Sequence, residues 1–240
     1  MNLLVVATYN VHVSAPDAGT LADLRVLLAE ADVLVVQEVA SAGKKAVIAQ
    51  VQAETGVKVV YSPGRGEDAI IWHPGKVVFR TQGSVQLSEA TAVGNPEVTV
   101  RAKYLTWCRF RLRGTLTYFP VGVVHLVARP HVDPRREALL KLEAQNLAKA
   151  LGDLGFKKPL IGGDYNVDFD DPWLDPLRRT GMFNDHQVLG GLVTFPDSPD
   201  RSFDQWWFGP PTTTGLRPLE HHVFVGSSDH HGVVVSLAVE

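Results

Sequence analysis

The sequence is short of several things, and each shortage narrows the answer. It has one cysteine, Cys108, among 240 residues, so no intrachain disulfide is possible. That suits a reducing compartment, and a cytoplasmic location is the expectation. No apolar stretch approaches the length of a membrane span. The opening "MNLLVVATYNVH" lacks a basic leader, and its apolar run is short, so it reads as a buried first strand. Neither sign of charge dominates: the formal net charge is −3, which gives no global support to nucleic-acid binding and leaves only a local basic patch to provide it. There is no sequence repeat, no low-complexity tract and no linker. What remains, 45% hydrophobic and 20% charged, is the composition of a globular protein with a sizeable core, read as a single domain over 1–240. Its wealth of Ala, Val and Gly points to a bacterial or phage source.

Apolar runs at 3–11 and 33–38 predict buried strands, with a helix between them whose Leu21, Leu24, Leu27 and Leu28 recur at helical spacing after Thr20 as N-cap. Residues 44–55 predict a second helix ending at Gly56. Strand signals fill 57–127, with a hairpin turn around Gly114. The strongest helix follows Asp133-Pro134 and stops at Gly155, with Leu140, Ala144, Leu147, Leu151 and Leu154 as its buried stripe. Strands follow at "KPLIGGD", "SFDQWWF" and "GVVVSLAV", and a short helix starts at Asp175-Pro176. Strand–helix–strand occurs twice, at 3–38 and 117–163. Many strands with few helices predict an α+β fold in which two packed sheets are flanked by helices.

Polar groups stand at the ends of these runs. Asn10 and Glu38 end strands in the first half, and His125 and Asp164 do so in the second. Ligand sites in α/β sheets gather at such carboxyl ends. Asp229 and His230 precede a strand, which in an antiparallel neighbour lies at the same rim. Singly, each has an ordinary explanation. Asn10 suits a turn, Glu38 a salt bridge, His125 a hydrogen-bonded core, and Asp164 with Asn166 an Asx turn. Asp204 within "SFDQWWF" needs a partner.

Taken together, "TYNVH" (8–12), "VVQEV" (35–39), "VVHL" (123–126), "GGDYNVD" (162–168), "SFDQWWF" (202–208) and "SSDHHGVVVSL" (227–237) resemble, in order, the endonuclease/exonuclease/phosphatase superfamily. This is the group of pancreatic-type deoxyribonucleases and abasic-site endonucleases. The resemblance implies a four-layer α/β sandwich of two packed mixed β-sheets, and metal-dependent cleavage of phosphate esters. It makes Glu38 the principal Mg²⁺ ligand, with Asn10 beside it and Asp229 assisting; Mn²⁺ is the expected substitute. Asp164 and Asn166 would orient water and phosphate, and Asp204 would hold His230. His125 resembles the deoxyribonuclease branch. Chemically, His230 can take a proton from water if Asp204 supports its charged form, and a protonated His125 can stabilise phosphate or protonate the leaving oxygen. Which histidine is acid and which is base stays open. The family's proline after the final motif is replaced by Gly232.

Asp168, Asp170 and Asp171 read as turn and cap residues. Glu67 or Asp68 would hold His125. Arg129, His131, Arg135 and Arg136, and the alternating Arg101, Lys103, Arg109, Arg111 and Arg113, are candidate phosphate contacts or solvated charges. Trp206 and Trp207 point to opposite faces; Trp206 offers a platform for a flat group, or both pack into the core. The spacing of His221-His222 and His230-His231 matches no closed zinc site. The expected substrate is DNA. A smaller phosphoester, such as a phospholipid or inositol phosphate head group, is the alternative, and a catalytically silent binding protein is the third reading. No protein partner is inferable.

Overall fold

A computed structural model describes residues 2–94, 97–128, 130–157, 159–195, 201–209 and 215–239. In chain order the strands are β1 (Asn2–Asn10), β2 (Val33–Gln37), β3 (Lys58–Tyr61), β4 (Ala69–Trp72), β5 (Val77–Ser88), β6 (Thr91–Val93), β7 (Val98–Val100), β8 (Lys103–Leu112), β9 (Tyr118–His125), β10 (Leu160–Asp164), β11 (Phe183–Asn184), β12 (Asp204–Phe208), β13 (Leu216–Phe224) and β14 (Gly232–Val239). The longer helices are α1 (Asp17–Glu30), α2 (Ala42–Thr55) and α3 (Pro134–Asp153), and α4 (Asp175–Arg179) and α5 (Asp185–Leu189) are single turns. No helix among the described residues is long and apolar enough to cross a membrane.

Two six-stranded mixed sheets face each other, in the orders β13-β14-β1-β2-β4-β3 and β11-β12-β10-β9-β8-β5. Alternation along the strands builds three apolar layers. Val6, Val35, Ile70, Val233 and Val235 meet Phe110, Val121, Val123, Leu160 and Trp206 between the sheets. Ala7, Tyr9, Leu34 and Ile71 turn outward under α1 and α2, which contribute Leu24, Leu27, Ile48 and Val51. Val124, Ile161 and Trp207 lie under α3 and its Leu140, Ala144 and Leu147. The result is the expected four-layer α/β sandwich.

Local chemistry sets the element ends. The Asp133 carboxylate accepts from Arg135 N at 2.8 Å, with Pro134 following, so α3 starts where the sequence predicts. α1 differs: it begins at Asp17, and the Thr20 hydroxyl donates back to the Pro16 carbonyl at 3.2 Å instead of capping. Ser41 caps α2 through Lys44 N.

Trp206 is no platform: it and Trp207 are fully buried, Trp206 between the sheets and Trp207 in the layer under α3. An indole buries roughly 150–250 Å², about 4–6 kcal/mol at 25 cal/mol per Å², so a covered face outweighs an exposed one. Gly162 makes the room, since a Cβ there would lie 2.8 Å from the Trp206 ring. At Gly163 a Cβ would stand 2.0 Å from the Val124 carbonyl oxygen of β9. The glycine pair thus lets β10 seat against its neighbours and ends it at Asp164.

Candidate active site

Register brings the strand ends together. In β10, Asp164 pairs with His125 of parallel β9 and with Asp204 of antiparallel β12. In the other sheet, Asn10 pairs with Gln37, one residue before Glu38. A hydrogen bond of 3.0 Å from Asn10 Nδ2 to Asp164 Oδ2 crosses between the sheets. The same amide donates to Glu38 Oε1 at 3.2 Å, and Val13 N donates to Glu38 Oε2 at 2.8 Å. A cavity of about 450 Å³ opens over these groups, lined by His12, Glu38, His125, Asp164, Asn166, Asp229 and His230.

Backbone conformation marks the same place. The non-glycine residues with positive φ among the described residues are His12 (45°), Glu38 (64°) and Asn166 (56°), and all three line this cavity. Such a conformation costs on the order of 1–3 kcal/mol and persists where the surroundings over-determine it. At Glu38 it turns the carboxylate from the end of β2 towards Asn10. At Asn166 it closes the Asx turn, with Asn166 N on Asp164 Oδ1 at 2.8 Å. One amide hydrogen of Asn166 goes to the Leu126 carbonyl at 3.0 Å.

The two histidines occupy opposite fields. His230 Nδ1 lies 2.7 Å from Asp204 Oδ2 and 3.9 Å from Asp164 Oδ2. Burial opposes its charged form, but the Asp204, Asp164 and Asp229 carboxylates outweigh burial and raise its pKa to about 10. His125 is pushed well below the usual imidazole value, by burial first and then by Lys103 and His230. The surroundings of His125 therefore favour its neutral form, and those of His230 its charged form. Burial raises Asp164 to about 7, partly offset by His230. It also raises Asp68 to about 7, partly offset by Lys103.

Of the two acids proposed to hold His125, Asp68 faces it, with Oδ1 4.0 Å from His125 Nδ1; both atoms are buried without a hydrogen-bond partner. Glu67 instead pairs with Arg101 and stands 4.0 Å from Lys103 Nζ. Arg101, Lys103 and Arg136 line a second cavity of about 320 Å³ that shares Glu38, His125 and Ala128 with the first. The alternating basic residues are thus divided: Arg109 and Arg111 pair with Pro120 and Tyr118, at the end of β9 away from His125. Arg135 is bound to the Gly94 carbonyl, and Arg136 donates to the Ala128 carbonyl. Arg129 lies outside the described residues. Asp168 anchors Ser202 N and Asp171 caps Trp173 N, consistent with turn and cap roles. His221 is bonded to Asp185 and His222 to Glu30, away from the cavity.

Sequence reasoning passed over His12, whose Nδ1 lies 3.5 Å from Asp229 Oδ1, and the Phe195 and Phe203 rings at the cavity wall. His12 stood within a quoted motif. The two phenylalanines had no periodic signal.

The profile of the Endonuclease/Exonuclease/phosphatase family matches residues 7–230. The chain belongs to this family. Its fold is similar to a family protein from Bacteroides thetaiotaomicron, at 17% identity, TM-score 0.76 and 98% of each chain covered. It is also similar to the mannosyl-6-phosphatase of that organism, at 16% identity and TM-score 0.74, over 98% of this chain and 99% of the other. D. rerio TDP2, complexed with a single-strand DNA product, matches at 16% identity and TM-score 0.75 over all of both chains. At these identities the likeness is one of fold. No curated protein matches the chain in sequence. Family membership makes the chain a phosphoesterase of this superfamily, a group whose members generally use divalent metal ions.

The donor set fits a hard cation. Each Glu38 oxygen accepts one hydrogen bond and keeps a further lone pair, and Asp229 adds a carboxylate across the cavity. Among the described residues no three His, Cys, Asp or Glu side chains converge as a closed metal site. Mg²⁺ needs no such cage, since it binds through one or two carboxylates and completes its shell with water and phosphate.

Proposed function

We propose that this protein is a phosphodiesterase dependent on Mg²⁺, with Mn²⁺ as substitute, and that its substrate is DNA. The observation that carries the reading is the Asp204–His230 pair, whose His230 lines one cavity with Glu38, the latter bonded to the buried Asn10. Glu38, Asn10 and Asp229 would hold the cation. A bound divalent cation neutralises charge on phosphate oxygens and favours ionisation of water.

The chain's own groups divide the remaining work. Asp164, raised to about 7, is matched to accept a proton from the attacking water at neutral pH. The Asn10 amide and the Asn166 backbone N–H fix its two oxygens. His230, held charged by Asp204, offers its other ring N–H to the phosphate and gives that proton to the leaving oxygen. His125, neutral, hydrogen-bonds a phosphate oxygen, and so does the second amide hydrogen of Asn166. The water proton thus arrives on Asp164 as another leaves His230, and no net charge builds up in the cavity.

The groove continuing to Arg101, Lys103 and Arg136 supports a substrate longer than one phosphate group. A small phosphoester is the second reading, favoured by Glu67, which offsets both Arg101 and Lys103. A panel of plasmid, single-stranded DNA, RNA, sugar phosphates and inositol phosphates, with and without EDTA, tests both. DNA cleavage with Mg²⁺ should stop with EDTA, and fall roughly a hundredfold or more in Glu38→Ala and His230→Ala. Full activity in both variants would refute the site. Preference for a small phosphoester would select the second reading.

A further inference from the structure

The buried stripe of α3 carries one charged side chain, Glu143, fully covered among Leu139, Leu140, Ala144 and Leu147. It forms no ion pair among the described residues. Its carboxylate instead accepts from Val127 N at Oε2, at 2.8 Å, and from the Ser88 hydroxyl at Oε1, at 2.7 Å. Burial pushes this carboxyl up, and the two hydrogen bonds and Lys103 offset only part of that. An apolar side chain would fill the same position of the stripe without desolvating a charge. The proposed mechanism makes no use of Glu143.

What the carboxylate holds lies directly behind the cavity. Leu126, Val127 and Ala128 follow His125 at the end of β9. Leu126 is tied to the Asp164–Asn166 turn: its N–H donates to the Asp164 carbonyl, and its own carbonyl accepts the Asn166 amide, each at 3.0 Å. Val127 is tied to Glu143. Ala128, which lines both cavities, accepts from Arg136 at 2.9 Å. Arg136 and Glu143 share one face of α3, so the helix holds this segment at two points. The second Glu143 bond reaches the end of β5, where Ser88 is the register partner of Lys103. Lys103 begins β8 and lines the second cavity.

We infer that Glu143 is a positioning residue of the active site: it joins the segment behind His125 and Asn166 to the strand pair that carries Lys103, and so fixes the reacting centre against the groove. The inference rests on the reading of the cavity as a phosphodiesterase centre. Without Glu143, Val127 N–H is a buried donor lacking a partner, and the segment moves to find one. A shift of about 1 Å at the Leu126 carbonyl carries the Asn166 amide with it, a displacement that costs on the order of a hundredfold in rate.

A carboxylate that served packing alone would act differently. Its replacement would lower the unfolding midpoint and leave kcat and KM of the folded protein unchanged. The experiment measures kcat, KM and unfolding midpoint for wild type, Glu143→Gln, Glu143→Ala and Ser88→Ala. The substrates, with Mg²⁺, are bis(para-nitrophenyl) phosphate and a labelled oligonucleotide, and amide hydrogen exchange is followed at Val127. Glutamine can keep both bonds, its carbonyl accepting from Val127 N and its amide donating to Ser88 Oγ; alanine keeps neither. The expected result is kcat roughly tenfold to a hundredfold lower in Glu143→Ala, with faster exchange at Val127, and recovery to within about threefold of wild type in Glu143→Gln. Ser88→Ala spares the Val127 bond and releases the tie to β5. It should keep kcat on the small diester within about twofold and raise KM for the oligonucleotide roughly three- to tenfold. Folded Glu143→Ala with wild-type kcat, or Glu143→Gln no better than Glu143→Ala, overturns the inference and leaves the proposed function intact. Where Glu143→Ala does not fold, Ser88→Ala with wild-type KM for the oligonucleotide overturns it equally. Wild type inert toward both esters defeats the proposed function as well.

Discussion

His125 and His230 expose 11% and 9% of their side chains, so burial alone cannot separate their charge states; their neighbours do. Lys103 stands near the first, and Asp204, Asp164 and Asp229 surround the second. Replacing Asp204 by Asn removes the closest of those charges. The His230 pKa should fall from about 10 towards the ordinary value, read by NMR titration of the ring, and turnover should drop about a hundredfold or more. Stability follows by linkage. A histidine whose folded pKa lies above its unfolded value of about 6.5 contributes fully below that pH, and its contribution is lost as pH rises through the folded value. Wild type should therefore lose stability between pH 6.5 and about 10 from this group, and Asp204→Asn should lose less across that window in urea melts at successive pH values. Equal slopes would show that Asp204 does not hold the charge. Asn10, Glu38, His125, Asp164, Asn166, Asp204, Asp229 and His230 each stand at the margin of an apolar run, a weak signal singly, and were legible as a set through their joint order and its resemblance to the family motifs. Of the two readings of Trp206 the structure keeps the core and drops the platform; alternation tells which way a side chain points and not whether that face is covered. The charge states were not legible at all, since they depend on carboxylates up to 66 positions away in the chain.

At the scale of elements, glycines separate two kinds of position. Gly163 sits where a Cβ would strike the Val124 carbonyl, whereas Gly152 lies in α3 with nothing within 4 Å of its Cβ position. Gly163→Ala should destabilise by at least about 2 kcal/mol, because backbone must move to relieve the clash and β10 carries Asp164. Gly152→Ala should stabilise by about 0.5–1 kcal/mol, the helix-propensity difference. Chemical denaturation of the two variants checks both signs. β1, β2, α2, α3, β10, β12 and β14 were legible because apolar period and cap residues agree there. β13 was not: "LRPLEHHVF" is polar, carries Pro218, and shifts register between Pro218 and Glu220. Those are features of an edge strand, which need bury only one side. α5 was also missed, since a single turn has no periodicity to read; its Asn184 capping box with Gln187 was the available signal.

For the whole molecule, charge and substrate stand in tension. A net charge of −3 repels a polyanion at long range, so on the proposed reading DNA would be held by a local patch. Arg101, Lys103 and Arg136 line the groove beside His125, and Glu67 engages the first two. On the proposed reading, neutralising two to three phosphates gives a log–log salt slope for DNA binding of about −2 to −3. That is shallow beside proteins that wrap a duplex. Arg101→Ala should flatten the slope by about 0.9 and raise KM with little change in kcat, because on this reading the guanidinium would contact substrate away from the reacting atoms. Glu67→Gln should act in the opposite sense, freeing Arg101 and Lys103 to bind phosphate and lowering KM at low salt. Fluorescence anisotropy of a labelled oligonucleotide across a salt series, with steady-state kinetics on the same substrate, measures each quantity. A small phosphoester engages too few phosphates to show the trend. Activity indifferent to salt, to Arg101→Ala and to Glu67→Gln would therefore move the substrate assignment from DNA to the smaller ester while leaving the catalytic groups where they are.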